Sequence, residues 1–290
     1  MYKIAILGCE NSHANVFLNY IIKDKLYTDI EVVGVYSDDT AAAEALSQEY
    51  GVYVAKSYDE FVGKIDGVLI TARHGDSHYK FAKPYISTGI PMFIDKPITI
   101  SEKEAVEMKN DLMENGVRVC GGSVLRFPDI IGELKKNIAE KTYGRCYGGF
   151  LRAPVSMVND FGNFYFYSQH LVQAMCEIFG YYPNSVKAFE NKGAITCVVR
   201  YDEYDVTVVY TDEDYTYYVG INCEKKAGFS EYNFDGCFER EFDSFYQILK
   251  GGEQHESYDD FIAPVFILNA IYRSITSGNE EKVTRQEDIV

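Results

Sequence analysis

Short apolar strands alternate with helical stretches through the first 120 residues, and this alternation constrains the fold more than any other feature. Because each strand is apolar throughout, both of its faces are expected to be buried, which is typical of a parallel sheet with helices on both sides. Ligands of such sheets bind outside the carboxyl ends of the strands. The pattern therefore predicts an α/β fold that begins with a doubly wound parallel sheet, with strands at residues 3–7, 30–36, 67–71, 91–94 and 117–120.

The periodicity changes at Gly121 and Gly122, where the stretch Gly-Gly-Ser interrupts it. Three strand-like segments follow at residues 194–201, 206–210 and 215–222, joined by short polar links of hairpin length. These segments predict a second α/β domain with an antiparallel sheet. We place the domains at 1–122 and 123–290 and predict helices in the second at 128–141, 162–179, 238–249 and 258–277.

The strongly acidic composition argues against whole classes of partner. A formal net charge of −16 at pH 7 is unfavourable for binding duplex phosphates or an anionic membrane. The longest apolar runs are strand-sized, far below the roughly 20 residues of a membrane helix, and the chain begins in a strand instead of a signal peptide. Seven scattered cysteines without a C-x-x-C spacing are typical of reduced core residues. We expect a cytoplasmic protein that binds no nucleic acid, membrane or metal.

Three segments resemble the motifs of the Gfo/Idh/MocA oxidoreductases in order and spacing: "ILGCENSHA", "ITARHGDSHYKFAKPYISTGIPMFIDKP" and "FYFYSQHLVQAMCEIFG". The most specific element is Asp95-Lys96-Pro97, which stands where the family has Glu-Lys-Pro. The resemblance implies a Rossmann domain that binds NAD or NADP, followed by an α/β domain with an open, mostly antiparallel sheet. It also implies a small substrate of the sugar or polyol class, and a homo-oligomer, dimer or tetramer, assembled through the C-terminal sheet.

The first strand-to-helix turn departs from the dinucleotide pattern G-x-G-x-x-G. Gly8 can supply the tight bend, but Glu10 and His13 replace the second and third glycines. Glu10 places a negative charge where a diphosphate is expected, and the repulsion can reach several kcal/mol at low dielectric. In compensation, Asn11 and Ser12 are good helix caps, a helix N-terminus attracts anions, and His13 can donate. We predict loose cofactor binding here; the alternative is a turn with no ligand.

The end of the second strand carries Ser37 where the family usually has an acid. Asp38, one residue later, can accept hydrogen bonds from the adenosine ribose. Because a carboxylate there repels a 2′-phosphate, this position favours NAD over NADP. The alternative is a solvated loop acid.

The third and fourth strands also end in polar residues. Thr71 and His78 match the family pattern, and the loop between them adds Arg73 and His74 at the edge where ligand is expected. We predict cofactor contacts from this loop and from Asp95 at the end of the fourth strand. The alternative is that its histidines are helix caps or structural donors.

Lys96 is the strongest catalytic candidate. It follows an apolar strand, and a partly buried lysine has a lowered pKa that allows it to exchange protons. In the family this lysine orients the substrate and hydrogen-bonds its reacting oxygen. Pro97 fixes the bend after it, with a cis Lys96–Pro97 bond expected. A surface lysine before a turn is the alternative.

The second candidate group lies on the helix predicted at 162–179. Helical spacing places Asn163, Tyr167, His170 and Gln173 on one face. In the family this helix has Asp-x-x-x-His with a further Asp three residues later, and here Phe166 and Gln173 stand at the acidic positions. We predict that His170 is catalytic, that Tyr167 or Gln173 positions it, and that Asn163 and Gln173 contact substrate. A packed structural histidine is the alternative.

These observations predict an oxidoreductase that transfers a hydride between a nicotinamide and a small hydroxylated substrate. Lys96 and His170 would exchange the substrate proton in a cleft walled by a strand "SVLRF", where Arg126 can anchor an anionic substrate. One rival hypothesis is a redox-inactive family member that binds a small ligand or regulates. Another is an enzyme that retains NAD for transient oxidation during bond cleavage.

Overall fold

The computed structural model describes residues 1–212 and 214–289 of the chain. These residues form two compact units, and each unit draws on separate stretches of sequence. The first unit contains Met1–Thr99, Glu104–Gly122 and Phe238–Phe261, whereas the second contains Ile100–Lys103, Ser123–Cys237 and the C-terminal residues from Ile262 onward.

The sheet of the first unit confirms the predicted parallel arrangement. Its strand order within the described residues is β2-β1-β3-β4-β5, and every neighbouring pair is parallel. The order reverses at β1, so the carboxyl ends of β1 and β3 form the switch point at which sheets of this kind bind ligands. The strands are β1 (Tyr2–Leu7), β2 (Ile30–Tyr36), β3 (Gly67–Ile70), β4 (Met92–Asp95) and β5 (Val119–Gly122).

Helices connect these strands, as the right-handed crossovers of a parallel sheet require. The first helix continues as a π-helical turn over Asn19–Lys23. The helices are α1 (Ser12–Leu18), α2 (Thr40–Tyr50), α3 (Asp76–Ile86) and α4 (Glu102–Glu114).

The second unit contains a mixed, mostly antiparallel sheet in the order β11-β10-β6-β9-β8-β7-β12, within the described ranges. The predicted hairpin between β8 and β9 is present. The predicted pairing of β9 with β10 was wrong, because β6 lies between them, parallel to β9 and antiparallel to β10. The strands β6, β7, β11 and β12 were not predicted; in β6, Gly148 and Gly149 interrupt the strand pattern. The elements are α5 (Asp129–Ala139), β6 (Cys146–Val155), α6 (Phe164–Phe179), β7 (Ser185–Asn191), β8 (Ala194–Arg200), β9 (Asp205–Asp212), β10 (Tyr218–Cys223), β11 (Ala227–Glu231), α7 (Cys237–Leu249), α8 (Tyr258–Ser277) and β12 (Glu280–Lys282).

The segment "SVLRF" is not a strand, and that prediction was wrong. Val124–Arg126 form a 3₁₀ turn. Ser123 explains the change. Its hydroxyl accepts a hydrogen bond from the backbone N–H of Leu125 at 3.1 Å, and this local contact stabilises a turn instead of pairing with a neighbouring strand.

Helix α7 belongs to the first unit, although the sequence analysis assigned residues 123–290 to the second domain. Phe242, Phe245 and Ile248 join the core cluster that contains Ile4 and Leu69 from the parallel sheet. Each fully buried side chain of this size stabilises the fold by about 1.5–3 kcal/mol. Burial of this apolar face accounts for the return of the chain to the first sheet.

None of the helices in the described ranges combines the length and the apolar character that crossing a membrane requires.

Candidate active site

The turn after β1 lies against the end of β3. Gly8 has a φ of +74°, and a Cβ at this position would lie 2.4 Å from the backbone nitrogen of Ala72. The Thr71 hydroxyl donates a hydrogen bond to the Gly8 carbonyl at 3.0 Å. Both the left-handed backbone and the close approach require glycine, so one glycine of the dinucleotide pattern keeps its steric function here.

The Glu10 side chain bridges the ends of two strands. Its Oε2 accepts a hydrogen bond from the Ser37 hydroxyl at 2.6 Å, and its Oε1 accepts one from the backbone N–H of Arg73 at 3.0 Å. Ser37 also accepts from the backbone N–H of Asp39 at 3.0 Å. The carboxylate expected to oppose a diphosphate is therefore held by donors from β2 and from the loop after β3.

Asn11 occupies the N-cap position of α1 but makes no side-chain capping bond, contrary to the prediction. Its amide donates instead to Oδ2 of the fully buried Asp95 at 2.7 Å, and its Oδ1 accepts from the exposed Ser12 at 3.2 Å. A buried carboxylate requires such donors to offset its lost hydration. The hydrogen bond from Asn11 to Asp95 therefore takes the place of the capping bond that the sequence predicts.

His13 lies between two buried carboxylates. Its Nδ1 is 3.2 Å from Asp95 Oδ2, and its Nε2 is 3.1 Å from Glu241 Oε2. Burial by itself lowers the pKa of His13, but Asp95 and Glu241 outweigh that effect and raise the pKa above its ordinary 6.5. The imidazole predicted to donate to a ligand is a buried link between β4 and α7.

Glu241 is the residue of this cluster that the sequence analysis missed. It is fully buried on α7, and burial raises its pKa above the ordinary 4.5 despite the opposing effect of His13. A signal was present in the sequence: Cys237, Glu241, Phe245 and Ile248 follow a four, four, three spacing, which places the glutamate on the apolar face.

Lys96 is also buried, with 4% of its surface exposed. Burial lowers the pKa of Lys96 below its ordinary 10.5, against the opposing effects of Asp95 and Glu241, while the Arg73 charge lowers it further. Its backbone N–H donates to Asp95 Oδ1 at 2.7 Å, and the Lys96–Pro97 bond is cis, as expected. The alternative of a surface lysine is excluded.

The other predicted residues of the first unit differ in their surroundings. His78 is fully buried between the carbonyls of Ala72 and Ile98, at 2.8 and 3.3 Å, and burial lowers its pKa. Asp38 is exposed; its Oδ1 accepts from the Tyr36 hydroxyl at 2.6 Å, and its Oδ2 lies 3.4 Å from Lys80 Nζ. His78 is thus a buried side chain that contacts the backbone of the loop after β3, whereas Asp38 is exposed to solvent.

In the second unit, His170 contacts a serine that was not predicted. Its Nδ1 lies 2.6 Å from the Ser123 hydroxyl, and its ring centroid is 5.1 Å from that of Tyr167. Burial raises the pKa of Tyr167 above its ordinary 10.0, which makes the phenol a still poorer base at neutral pH. Gln173 is buried on the same helix, but Asn163 precedes α6 and accepts from the backbone N–H of Asn159.

Arg126, predicted to anchor substrate, forms an ion pair with Glu177. Its Nη2 lies 2.7 Å from Glu177 Oε1, while Lys135 Nζ lies 2.9 Å from Oε2. Burial alone would raise the pKa of Glu177, but Arg126, Tyr181 and Lys135 together lower it below 4.5. Glu177 is thus an ionised carboxylate that holds Arg126 in place, and the anchoring role of Arg126 stays a prediction.

Comparison with known proteins agrees with the parallel sheet of the first unit. The sequence model of the Gfo/Idh/MocA oxidoreductase family, described as an NAD-binding Rossmann fold, matches residues 2–123. An uncharacterized oxidoreductase of Streptococcus pneumoniae is 29% identical over 116 residues, which cover 39% of this chain and 31% of that protein. The chain spans about a third of the length of the curated relatives it matches.

Solved structures extend the likeness of fold to both units of this chain. The scyllo-inositol dehydrogenase of Lactobacillus casei, solved with NAD(H) and scyllo-inositol, matches with a TM-score of 0.84 and 15% identity, covering 98% of this chain and 99% of that one. The myo-inositol dehydrogenase of Corynebacterium glutamicum matches with a TM-score of 0.82 and 16% identity, with the same coverage. The predicted fold class is confirmed.

Proposed function

We propose that this chain is an NAD(P)-dependent oxidoreductase that transfers a hydride between the nicotinamide and a small hydroxylated substrate of the sugar or polyol class. The observation that carries the proposal is Lys96, an almost fully buried lysine at the carboxyl edge of a sheet that matches a family model described as NAD-binding. A lysine is rarely buried to this degree without a partner or a task. Its lowered pKa suits a group that exchanges a proton with substrate.

The chemistry of the carboxyl edge fits a dinucleotide. The Gly8 bend is one that only glycine tolerates, and the charges of Arg73 and Lys96 act on one another, which concentrates positive charge against the overall acidity. The carboxylate of Glu10, held by Ser37 and Arg73, would supply acceptors for sugar hydroxyls. When bound, the nicotinamide would supply or accept the hydride. We propose that this edge binds it, with NAD favoured over NADP.

Buried polar residues hold the backbone at the carboxyl edge of this sheet in place. Asp95 accepts from Asn11 and from the backbone of Lys96, and His13 links it to Glu241. These contacts fix the backbone from which the Lys96 side chain leaves. In the proposed reaction Nζ of Lys96 hydrogen-bonds the reacting oxygen and gives or takes its proton. Burial lowers the pKa of Lys96, which favours that exchange.

We propose His170 as a second group that exchanges the substrate proton. The Ser123 hydroxyl at Nδ1 fixes the orientation of the imidazole ring. Tyr167, with its raised pKa, would shape the pocket and not act as a base.

The test is reduction of NAD and NADP by the purified protein with a panel of inositols, sugars and sugar acids. We expect turnover with at least one member, and a loss of about 10²- to 10⁴-fold in kcat for Lys96→Ala, the usual contribution of a general acid–base group. The matched control is Lys64→Ala, because Lys64 is an exposed lysine of the same unit bonded to a backbone carbonyl. Equal rates for wild type and Lys96→Ala would contradict the role.

A further inference from the structure

The end of β2 lacks the acid that dinucleotide-binding sheets use there. An Asp or Glu at this position ordinarily accepts hydrogen bonds from the ribose 2′-hydroxyl and discriminates against a 2′-phosphate. This chain has Ser37, which is buried and carries no charge. Serine can donate and accept, but it cannot repel a phosphate.

A carboxylate nevertheless reaches this place from the neighbouring strand. Glu10 leaves the turn after β1 and accepts the Ser37 hydroxyl at 2.6 Å. The Arg73 backbone N–H holds its other oxygen at 3.0 Å. Because β1 lies between β2 and β3 in the sheet, donors from both neighbours fix the carboxylate across the end of β1. These hydrogen bonds set the position of the Glu10 carboxylate, which a side chain surrounded by solvent would not keep.

The fixed carboxylate still has capacity to bind hydroxyls. An ionised carboxylate offers about four acceptor sites, and the contacts to Ser37 and Arg73 occupy one on each oxygen. Glu10 is half-buried, so the protein does not fully cover its side chain. These properties match those of the acid missing at the end of β2.

Asp38 is the competing acid and is less suited. Its side chain is 57% exposed, and Lys80 lies 3.4 Å from one of its oxygens. A neighbouring cation weakens the repulsion of a phosphate, and exposure to solvent screens what remains.

We infer that Glu10 is the cofactor-specificity residue of this chain, which accepts the adenosine ribose hydroxyls and rejects a 2′-phosphate. The carboxylate has moved from the end of β2 to the turn after β1, and Ser37 holds it there. The chain therefore prefers NAD(H) to NADP(H). The inference rests on the proposed function, because it needs a nicotinamide dinucleotide at this edge.

The test compares dissociation constants for NADH and NADPH, followed by the fluorescence of the reduced nicotinamide. The variant Glu10→Gln keeps the shape and the acceptor oxygen but removes the charge. We expect it to weaken NADH and tighten NADPH, so that the preference falls by about 10- to 100-fold, the usual range for hydrogen bonds to a charged group. The matched control Asp38→Asn should move this preference less than about threefold.

A rescue variant separates specificity from damage to the turn. Adding Ser37→Asp to Glu10→Gln returns an acid to the end of β2, and we expect it to restore the preference for NADH. Melting temperatures of the variants establish that each is folded.

Three results would overturn the inference while leaving the proposed function intact. Equal tightening of both cofactors by Glu10→Gln would mean that the carboxylate only repels the diphosphate. An unchanged preference, or a larger shift from Asp38→Asn, would assign discrimination elsewhere. Absence of saturable binding of either cofactor to the wild type would instead overturn the proposed function, and the inference with it.

Discussion

Two buried glutamates, one in each unit, have pKa values that are shifted in opposite directions. Glu177 on α6 and Glu241 on α7 are 8% and 0% exposed, so the loss of hydration is severe for both. Glu177 contacts Arg126 and Lys135, and its pKa lies below 4.5. Glu241 contacts His13, and its pKa lies above 4.5. The supply of permanent cations, and not the depth of burial, decides which carboxyl becomes a fixed charge.

This difference separates a structural ion pair from a titratable cluster. An arginine–glutamate pair is satisfied over the whole physiological pH range and holds its helices in place. Glu241 belongs to a group with His13, Asp95 and Lys96 in which one proton changes the balance of charge for all members. Clusters of the second kind are concentrated at functional sites, which supports the proposed proton exchange by Lys96.

The largest effect is expected from Glu177→Gln. Removing the carboxylate breaks the ion pair with Arg126, and breaking a buried pair in this way costs about 3 kcal/mol of the free energy of unfolding. Urea denaturation at neutral pH measures it, with the exposed Glu203→Gln as control, expected within about 0.5 kcal/mol of wild type. A loss below about 1 kcal/mol would mean that the pair adds nothing beyond a surface contact.

The pH dependence of Glu177→Gln has a defined sign. The pKa of Glu177 is lowered in the folded state, so its stabilisation is present above pH 4.5 and disappears as the pH falls through the folded pKa. The gap between wild type and variant should therefore narrow on acidification.

Glu241→Gln should show the opposite pH trend with a smaller amplitude. The pKa values of Glu241 and His13 are raised in the folded state, so the stability they contribute is present at low pH and is lost as the pH rises through those values. The variant removes one titrating group and one of the carboxylates that raise the pKa of His13. Wild type should thus lose more stability than Glu241→Gln between about pH 5 and 8, measured by thermal unfolding across that range. Parallel profiles would break the distinction between the two glutamates.

The smallest effect is expected from Lys135→Met. Lys135 shares Glu177 with Arg126, but its side chain is 51% exposed. An exposed partner contributes about 0–1 kcal/mol, so Arg126 alone should keep Glu177 ionised. A loss in urea denaturation as large as that of Glu177→Gln would show that both cations are needed.

Local patterns predicted the elements well but not the contacts of the site. Residues 30–36 and 258–277 match the predicted bounds, because apolar runs and helical periodicity are properties of neighbouring residues. The contact between Asn11 and Asp95 spans 84 positions, and no local pattern reports it. Glu10 is a second example. From the sequence its charge is expected to repel a diphosphate, and its hydrogen bonds with Ser37 and Arg73 are visible only in the structure.

Titration of the wild-type protein with NADH tests the central claim most directly. The account predicts a saturable change in nicotinamide fluorescence below about 1 mM, a modest affinity for a site with one pattern glycine. Absence of saturation to that concentration with both NADH and NADPH, while a polyol still raises the melting temperature, would contradict it. Such a result would instead fit a ligand-binding protein that has lost redox chemistry.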